Sequence, residues 1–213
     1  MVRKNSIRVA GWLRQWALLT LACCLLLPAV GCGGPSFKGK ARQPLSPAPD
    51  FTLTDQHGRP FRLSEQKGNV VLLYFGYTYC PDVCPTTLGD FKRLHKLLGD
   101  KAARVRFVFV TADPERDTPE RLKKYLSIFN PDFLGLIGTE AELQDVYSKY
   151  DIFVQKEEVK GSAAEYLVSH TASVTLIDPD GNWRLIYDFG TLPEDMAADI
   201  EKLLENRTRT GEG

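Results

Sequence analysis

The 213-residue sequence has no excess of charge of either sign, since Lys+Arg and Asp+Glu are both 27. It offers no basic stripe to hold a phosphate backbone, which argues against nucleic acid as a partner. No internal repeat is present. Cysteine is scarce, at 5, and histidine scarcer, at 3. A disulfide-stapled scaffold is therefore excluded, and a chain of this length can bury a core without staples. The longest apolar run, Trp16 to Val30, has 15 residues. As a helix it would span about 22 Å, short of the ~30 Å hydrocarbon core of a membrane.

The flanks of that run give it a meaning. Residues 1–31 contain four bases (Arg3, Lys4, Arg8, Arg14) and no acid. A basic stretch before a short apolar run reads as a signal peptide, not a membrane anchor. The run ends in "AVGC", Ala29 to Cys32, which resembles a bacterial lipobox: the cysteine is lipidated and becomes the new N-terminus. Ala29 departs from that pattern, where Leu is commoner. The chain is thus expected outside the cytoplasm, facing the periplasm or cell exterior on a lipid anchor at Cys32. Without the signal the balance is 23 bases against 27 acids.

Cys23 and Cys24 would leave with the signal, and Cys32 would carry lipid. Cys80 and Cys84 remain for the folded domain. A bridge across three intervening residues constrains an unfolded chain little, so a purely structural disulfide is disfavoured.

Residues 32–49 carry the lipidated cysteine and then a Gly, Pro and Ser-rich stretch, "GGPSFKGKARQPLSPAP", which reads as a flexible tether. The folded domain is expected over 50–206, with a disordered tail over 207–213. "FTLTDQHGRPFRLS" signals a hairpin, and "NVVLLYFG" and "RVRFVFVTA" read as strands buried on both faces. Leu88, Phe91, Leu94 and Leu98 line one face of a helix from Pro85. Thr118-Pro119 opens another, Thr139 and Glu142 form a capping box for a third, and a fourth runs from Pro193 to Asn206. "FLGLIG" is a short strand. "EYLVSHTASVTLIDPDGNWRLIYDFG" reads as a strand, a "DPDG" turn and a second strand. Helices alternating with buried strands predict an α/β fold: a thioredoxin-like central sheet flanked by helices, with an extra N-terminal β-hairpin.

The cysteines follow the first buried strand, where open α/β folds place their sites. If Cys80 to Cys84 makes one turn, both sulfurs face one way, and Pro85 is expected to break the helix after it. The positive end of a helix favours thiolate, as a metal or a redox reaction requires. Two thiolates select a soft cation, Cu(I), or Zn with further ligands. His57 reads as a solvated turn residue and His95 as boundary packing. His170 is read on a loop before "TASVTLID", which passes close to the cysteines in such a sheet. Two cysteines and a histidine suit copper in either oxidation state and are too few for closed tetrahedral zinc. Two departures count against a general dithiol oxidoreductase: the cysteines are separated by three residues, and no proline precedes Val174.

In "FGYTYCPDVCPTTL", "VTADPERDTPERLKKY" and "YLVSHTASVTLIDPDG" the sequence resembles the Sco/SenC family, over roughly Pro49 to Leu204. The resemblance implies that Cys80, Cys84 and His170 bind one copper ion. It implies a metallochaperone that serves the binuclear copper centre of cytochrome c oxidase subunit II, together with a copper donor and a thiol reductant. The alternative is an enzyme, a thiol-disulfide reductase that maintains that subunit's cysteines with Cys80 and Cys84 as its redox pair. A peroxiredoxin-type peroxidase fits worse. Thr78 is two residues before Cys80 rather than three, and Tyr74 stands where a proline is needed. Asp82 could tune the site, face a partner or form a turn. Asp113 and Asp117 read as turn and helix-start residues, or as partner contacts.

Overall fold

The computed structural model describes residues 36–158 and 166–210. The chain separates into two compact units, 1–36 and 37–213, and the described strands and helices lie in the second. The signal peptide and Cys32 lie outside the described residues. Among the described residues, no helix is long and apolar enough to cross a membrane.

The strands are β1 (Lys40–Pro47), β2 (Thr52–Asp55), β3 (Pro60–Arg62), β4 (Val70–Gly76), β5 (Val105–Thr111), β6 (Leu134–Ile137), β7 (Val154–Glu158), β8 (Tyr166–His170), β9 (Val174–Ile177) and β10 (Asn182–Tyr187). The helices are α1 (Val83–Leu98), α2 (Pro119–Ser127), α3 (Glu140–Lys149) and α4 (Pro193–Thr210). Eight strands form one sheet in the order β1-β10-β9-β4-β5-β6-β2-β3, and β7 and β8 form a separate ribbon. β4, β5 and β6 run parallel. The predicted hairpin is β2–β3, and it joins the sheet antiparallel to β6.

Every residue of β4 is buried, because both faces of the sheet are covered. Val70, Leu72 and Tyr74 pack with Leu88, Phe91 and Leu94 of α1 and with Met196 and Ile200 of α4. Val71, Leu73 and Phe75 pack on the other side with Leu143, Val146 and Tyr147 of α3. A strand buried twice has no polar face, so its sequence is a continuous apolar run and not an alternating one. Thr118 caps α2 by accepting from the Arg121 N–H, and Thr139 with Glu142 closes the capping box on α3.

Four expectations are corrected. The tether reading of 33–49 fails for Lys40–Pro47, which pairs antiparallel with β10 as an edge strand. Proline is tolerated there because an edge strand need not donate every N–H. The C-terminal helix continues to Thr210, so the tail reading fails over 207–210. Pro85 does not break α1: it lies in the first turn, where its missing N–H would have no intrahelical partner anyway. His170 lies not on a loop but at the end of β8, in a ribbon with β7 that the sequence reading did not anticipate.

Candidate metal centre

The site is assembled from three places in the chain. β4 ends at Gly76, and a turn closed by the Cys80 N–H on the Tyr77 carbonyl (3.2 Å) delivers Cys80 to the surface. Cys84 follows in the first turn of α1 and is fully buried, whereas Cys80 is half-buried. β8 brings His170, and a few residues later β9 begins at Val174, opposite Tyr74 of β4. The histidine is thereby carried to the end of the strand that launches the cysteine loop.

The donor atoms of Cys80, Cys84 and His170 all lie within 4.8 Å of one another. Cys84 Sγ is 3.4 Å from His170 Nε2. His170 Nδ1 is 3.1 Å from the Thr171 carbonyl. A carbonyl only accepts, so Nδ1 carries the hydrogen and Nε2 presents its lone pair to the sulfurs. The ring is held edge-on against Tyr74 and Tyr77, with centroids at 6.1 and 5.9 Å.

The two thiols differ in acidity. The Cys84 S–H beside Cys80 lowers the Cys80 pKa, and burial only partly opposes this. The Cys84 N–H, at 3.5 Å from Cys80 Sγ, and the N-terminus of α1 act in the same direction. Cys84 moves the opposite way: its bond to the Cys80 sulfur and its burial push its pKa up. The pair therefore loses its first proton easily and its second reluctantly, until a cation replaces it. The Tyr74 hydroxyl, 3.5 Å from Cys84 Sγ, stabilises that second thiolate.

A network one layer out holds the loop. Asp117 is fully buried, and its carboxylate accepts from Thr78 Oγ1 at 2.6 Å and Thr111 Oγ1 at 2.7 Å. Thr78 Oγ1 in turn accepts from Arg121 Nε at 2.6 Å. Asp113, also fully buried, accepts from Arg116 Nε at 2.5 Å and from the Tyr166 hydroxyl at 2.7 Å. Arg116 also donates to the Tyr166 carbonyl at 3.0 Å, which fastens the base of β8 to the turn after β5. Full burial excludes partner contact for both aspartates. Asp117 anchors the cysteine loop and Asp113 the ribbon. Sequence reading had missed Tyr74, Tyr77, Thr78, Arg116 and Arg121. Only Tyr74 carried a legible signal, since it shares a strand face with Leu72.

Asp82 is exposed at the rim of a cleft of about 300 Å³ lined by Tyr77, Cys80, Glu157, Val168 and His170, among others. Its carbonyl accepts from Thr86 N and Oγ1, and its carboxylate makes no cap bond. His57 lies exposed in the β2–β3 turn. His95 packs on Phe107 and Phe133 with centroids at 5.7 and 6.4 Å. Neither joins the cluster.

Cys80 and His170 line the cleft and Cys84 is buried behind them, so the two sulfurs and the imidazole nitrogen form a soft donor set that opens on the Cys80 side. Fold and site together define a thioredoxin-like protein whose Cys80, Cys84 and His170 donors are close enough to hold a metal ion, in place of a bare dithiol. The SCO1/SenC family model matches residues 39–205, and the chain belongs to that family. An SCO2-like protein of Rickettsia conorii is 37% identical over 147 residues, covering 69% of this chain and 72% of that protein. The copper-bound structure of ScoI from Bradyrhizobium japonicum is 38% identical, with a TM-score of 0.68 over 75% of this chain and all of that one. BsSco, described as a member of the Sco family of cytochrome c oxidase assembly proteins with a disulfide switch, is 26% identical. It gives a TM-score of 0.60 over 78% of this chain and 98% of that one.

Proposed function

We propose that this protein is a copper metallochaperone. It holds one copper ion through Cys80, Cys84 and His170 and serves assembly of the binuclear copper centre in cytochrome c oxidase subunit II. The observation that carries this reading is the convergence of the three donors within 4.8 Å. The open side of the cluster suits transfer, because an incoming thiolate can reach the ion before the departing one lets go. The ScoI structure with copper bound and the oxidase-assembly description of BsSco support the reading. Localisation follows from the sequence: a cleaved signal and a lipidated Cys32 tether the domain to the outer face of a bacterial membrane.

A second reading has its own observation. Cys80 is half-buried and Cys84 fully buried, the asymmetry of an attacking and a resolving thiol. The same pair would reduce the target's cysteines before copper enters them. Copper titration of the reduced domain, followed by desalting and metal analysis, tests the first reading. One ion per chain is expected, with loss in Cys80→Ser and in Cys84→Ser. Full retention of copper by the double variant would end the chaperone reading.

A further inference from the structure

We infer that the pole of the domain carrying the metal cluster faces the lipid bilayer, with Phe189 and Leu192 seated in the membrane interface. The inference rests on the reading of Cys32 as the lipidated N-terminus, and adds an orientation to it.

Strand direction is the first argument. Val174, the first residue of β9, pairs with Tyr74 near the end of β4 and with Tyr187 at the end of β10. These residues mark the metal pole. β1 runs antiparallel to β10, and Lys40 at its start pairs with Ile186. The N-terminal strand therefore begins at the metal pole. From β1 to β4 there are three strand spacings, about 15 Å.

The second argument is reach. The Lys38 and Gly39 N–H groups donate to the fully buried Asp199 carboxylate at 2.8–2.9 Å. A Cβ at Gly39 would lie 2.5 Å from the Tyr187 ring, so the backbone is pressed flat on that ring, where only glycine fits. Phe37 packs against the core. The chain is thus held from Phe37 onward, and Cys32 is five residues upstream. Five residues extend at most about 18 Å, whereas the 17-residue tether read from sequence could reach roughly 60 Å. A lipid on Cys32 keeps this pole near the membrane.

The third argument is the surface there. Between β10 and α4, Phe189 is 50% and Leu192 58% exposed. Asp188 is matched by Lys40 and Asp195 by Lys38 at 3.9 Å, and Arg93 pairs with Glu194 while also facing Asp90. The patch is therefore apolar with its surrounding charges largely balanced, and lysine stems can lie along apolar surface with their heads in the headgroup layer. A bilayer is the occupant that the anchor itself supplies. Copper would then be presented close to the membrane surface.

Tryptophan quenching in the lipidated mature chain tests this. The protein is bound to vesicles of phosphatidylethanolamine with a minority of phosphatidylglycerol, and brominated acyl chains serve as the quencher. Trp183 is buried and lies at the start of β10, away from this pole. Phe189→Trp therefore adds an exposed reporter at the pole, and Leu97→Trp adds one at the far end of α1. Emission should fall about twofold or more for Phe189→Trp and stay unchanged for Leu97→Trp. Vesicle pelleting and the mass of the mature N-terminus report the anchor separately. If the chain pellets with its lipid but emission from the Phe189→Trp variant is unchanged, the orientation is overturned while the anchor stands, and the patch is left for a protein partner. Equal quenching of both reporters also overturns it. A mature chain with no lipid on Cys32 removes the anchor reading, and the inference with it.

Discussion

Gly76 is the last residue of β4 and has no room for a side chain. A Cβ there would lie 2.8 Å from Cys84 Sγ, 2.9 Å from Phe109 Cε2 and 3.0 Å from Tyr74 Cε1. Ordinary contact is nearer 3.7 Å, so each neighbour would have to retreat by about 0.7–0.9 Å. None can do so freely. The two rings are in the core, and the sulfur is fixed by His170 at 3.4 Å and by the Tyr74 hydroxyl at 3.5 Å. Gly76→Ala should therefore cost about 1–3 kcal/mol of stability. At a slope of about 2 kcal/mol per molar urea, the midpoint falls by about 0.5–1.5 M. Metal–ligand distances tolerate only about 0.2 Å, so Cu(I) affinity, measured by competition with a chromophoric chelator, should fall about 10–100-fold. Gly135→Ala is the control. Its Cβ would meet Leu126 Cδ1 at 2.7 Å, in α2 and away from the cluster. It should cost stability and leave copper affinity alone. If Gly76→Ala binds Cu(I) as tightly as the parent, Cys84 is not held where this reasoning requires.

The same geometry sets three further outcomes. His170→Ala should weaken Cu(II) strongly and change its spectrum, weaken Cu(I) less because two thiolates hold it linearly, and leave thiol-disulfide exchange within about an order of magnitude. Unchanged Cu(II) binding with collapsed exchange would make His170 a base for the thiols and favour the reductase. In the reduced, metal-free protein, iodoacetamide should modify Cys80 well before Cys84, since Cys80 is half-exposed and the more acidic thiol; peptide mass mapping reads the order, and its reversal refutes the asymmetry. Burial raises the Asp117 pKa above its ordinary 3.8, and bonds from Thr78 and Thr111 only partly offset this. The native state therefore favours the protonated acid. Its stability contribution is full below 3.8 and is lost as pH rises through the folded value. Asp117→Asn, neutral throughout, should gain in urea midpoint relative to the parent as pH rises over that window, and a loss would reverse the assignment.

The sequence by itself determined the elements whose cause is local. β4 and β5 are legible because burial on both faces demands unbroken apolar runs. α2 and α3 are legible because Thr118 and Thr139 cap them by short-range hydrogen bonds. Cys80 and Cys84 are legible because both belong to one turn beside one helix end. Tertiary structure decided the rest. Lys40–Pro47 has a linker's composition, and only its pairing with β10 and the grip of Asp199, some 160 residues away, turn its neighbourhood into ordered structure. β7 is too polar to read as a strand, and its ribbon with β8 exists because Arg116 and Asp113 fasten Tyr166 to a distant turn. Asp117 looked like a helix-start residue until the fold brought Thr78 to it across 39 positions. His170 entered the site as one of three histidines with no local feature to mark it. A ligand is chosen by where its strand ends relative to another strand's end, and that distance is set only when the sheet closes.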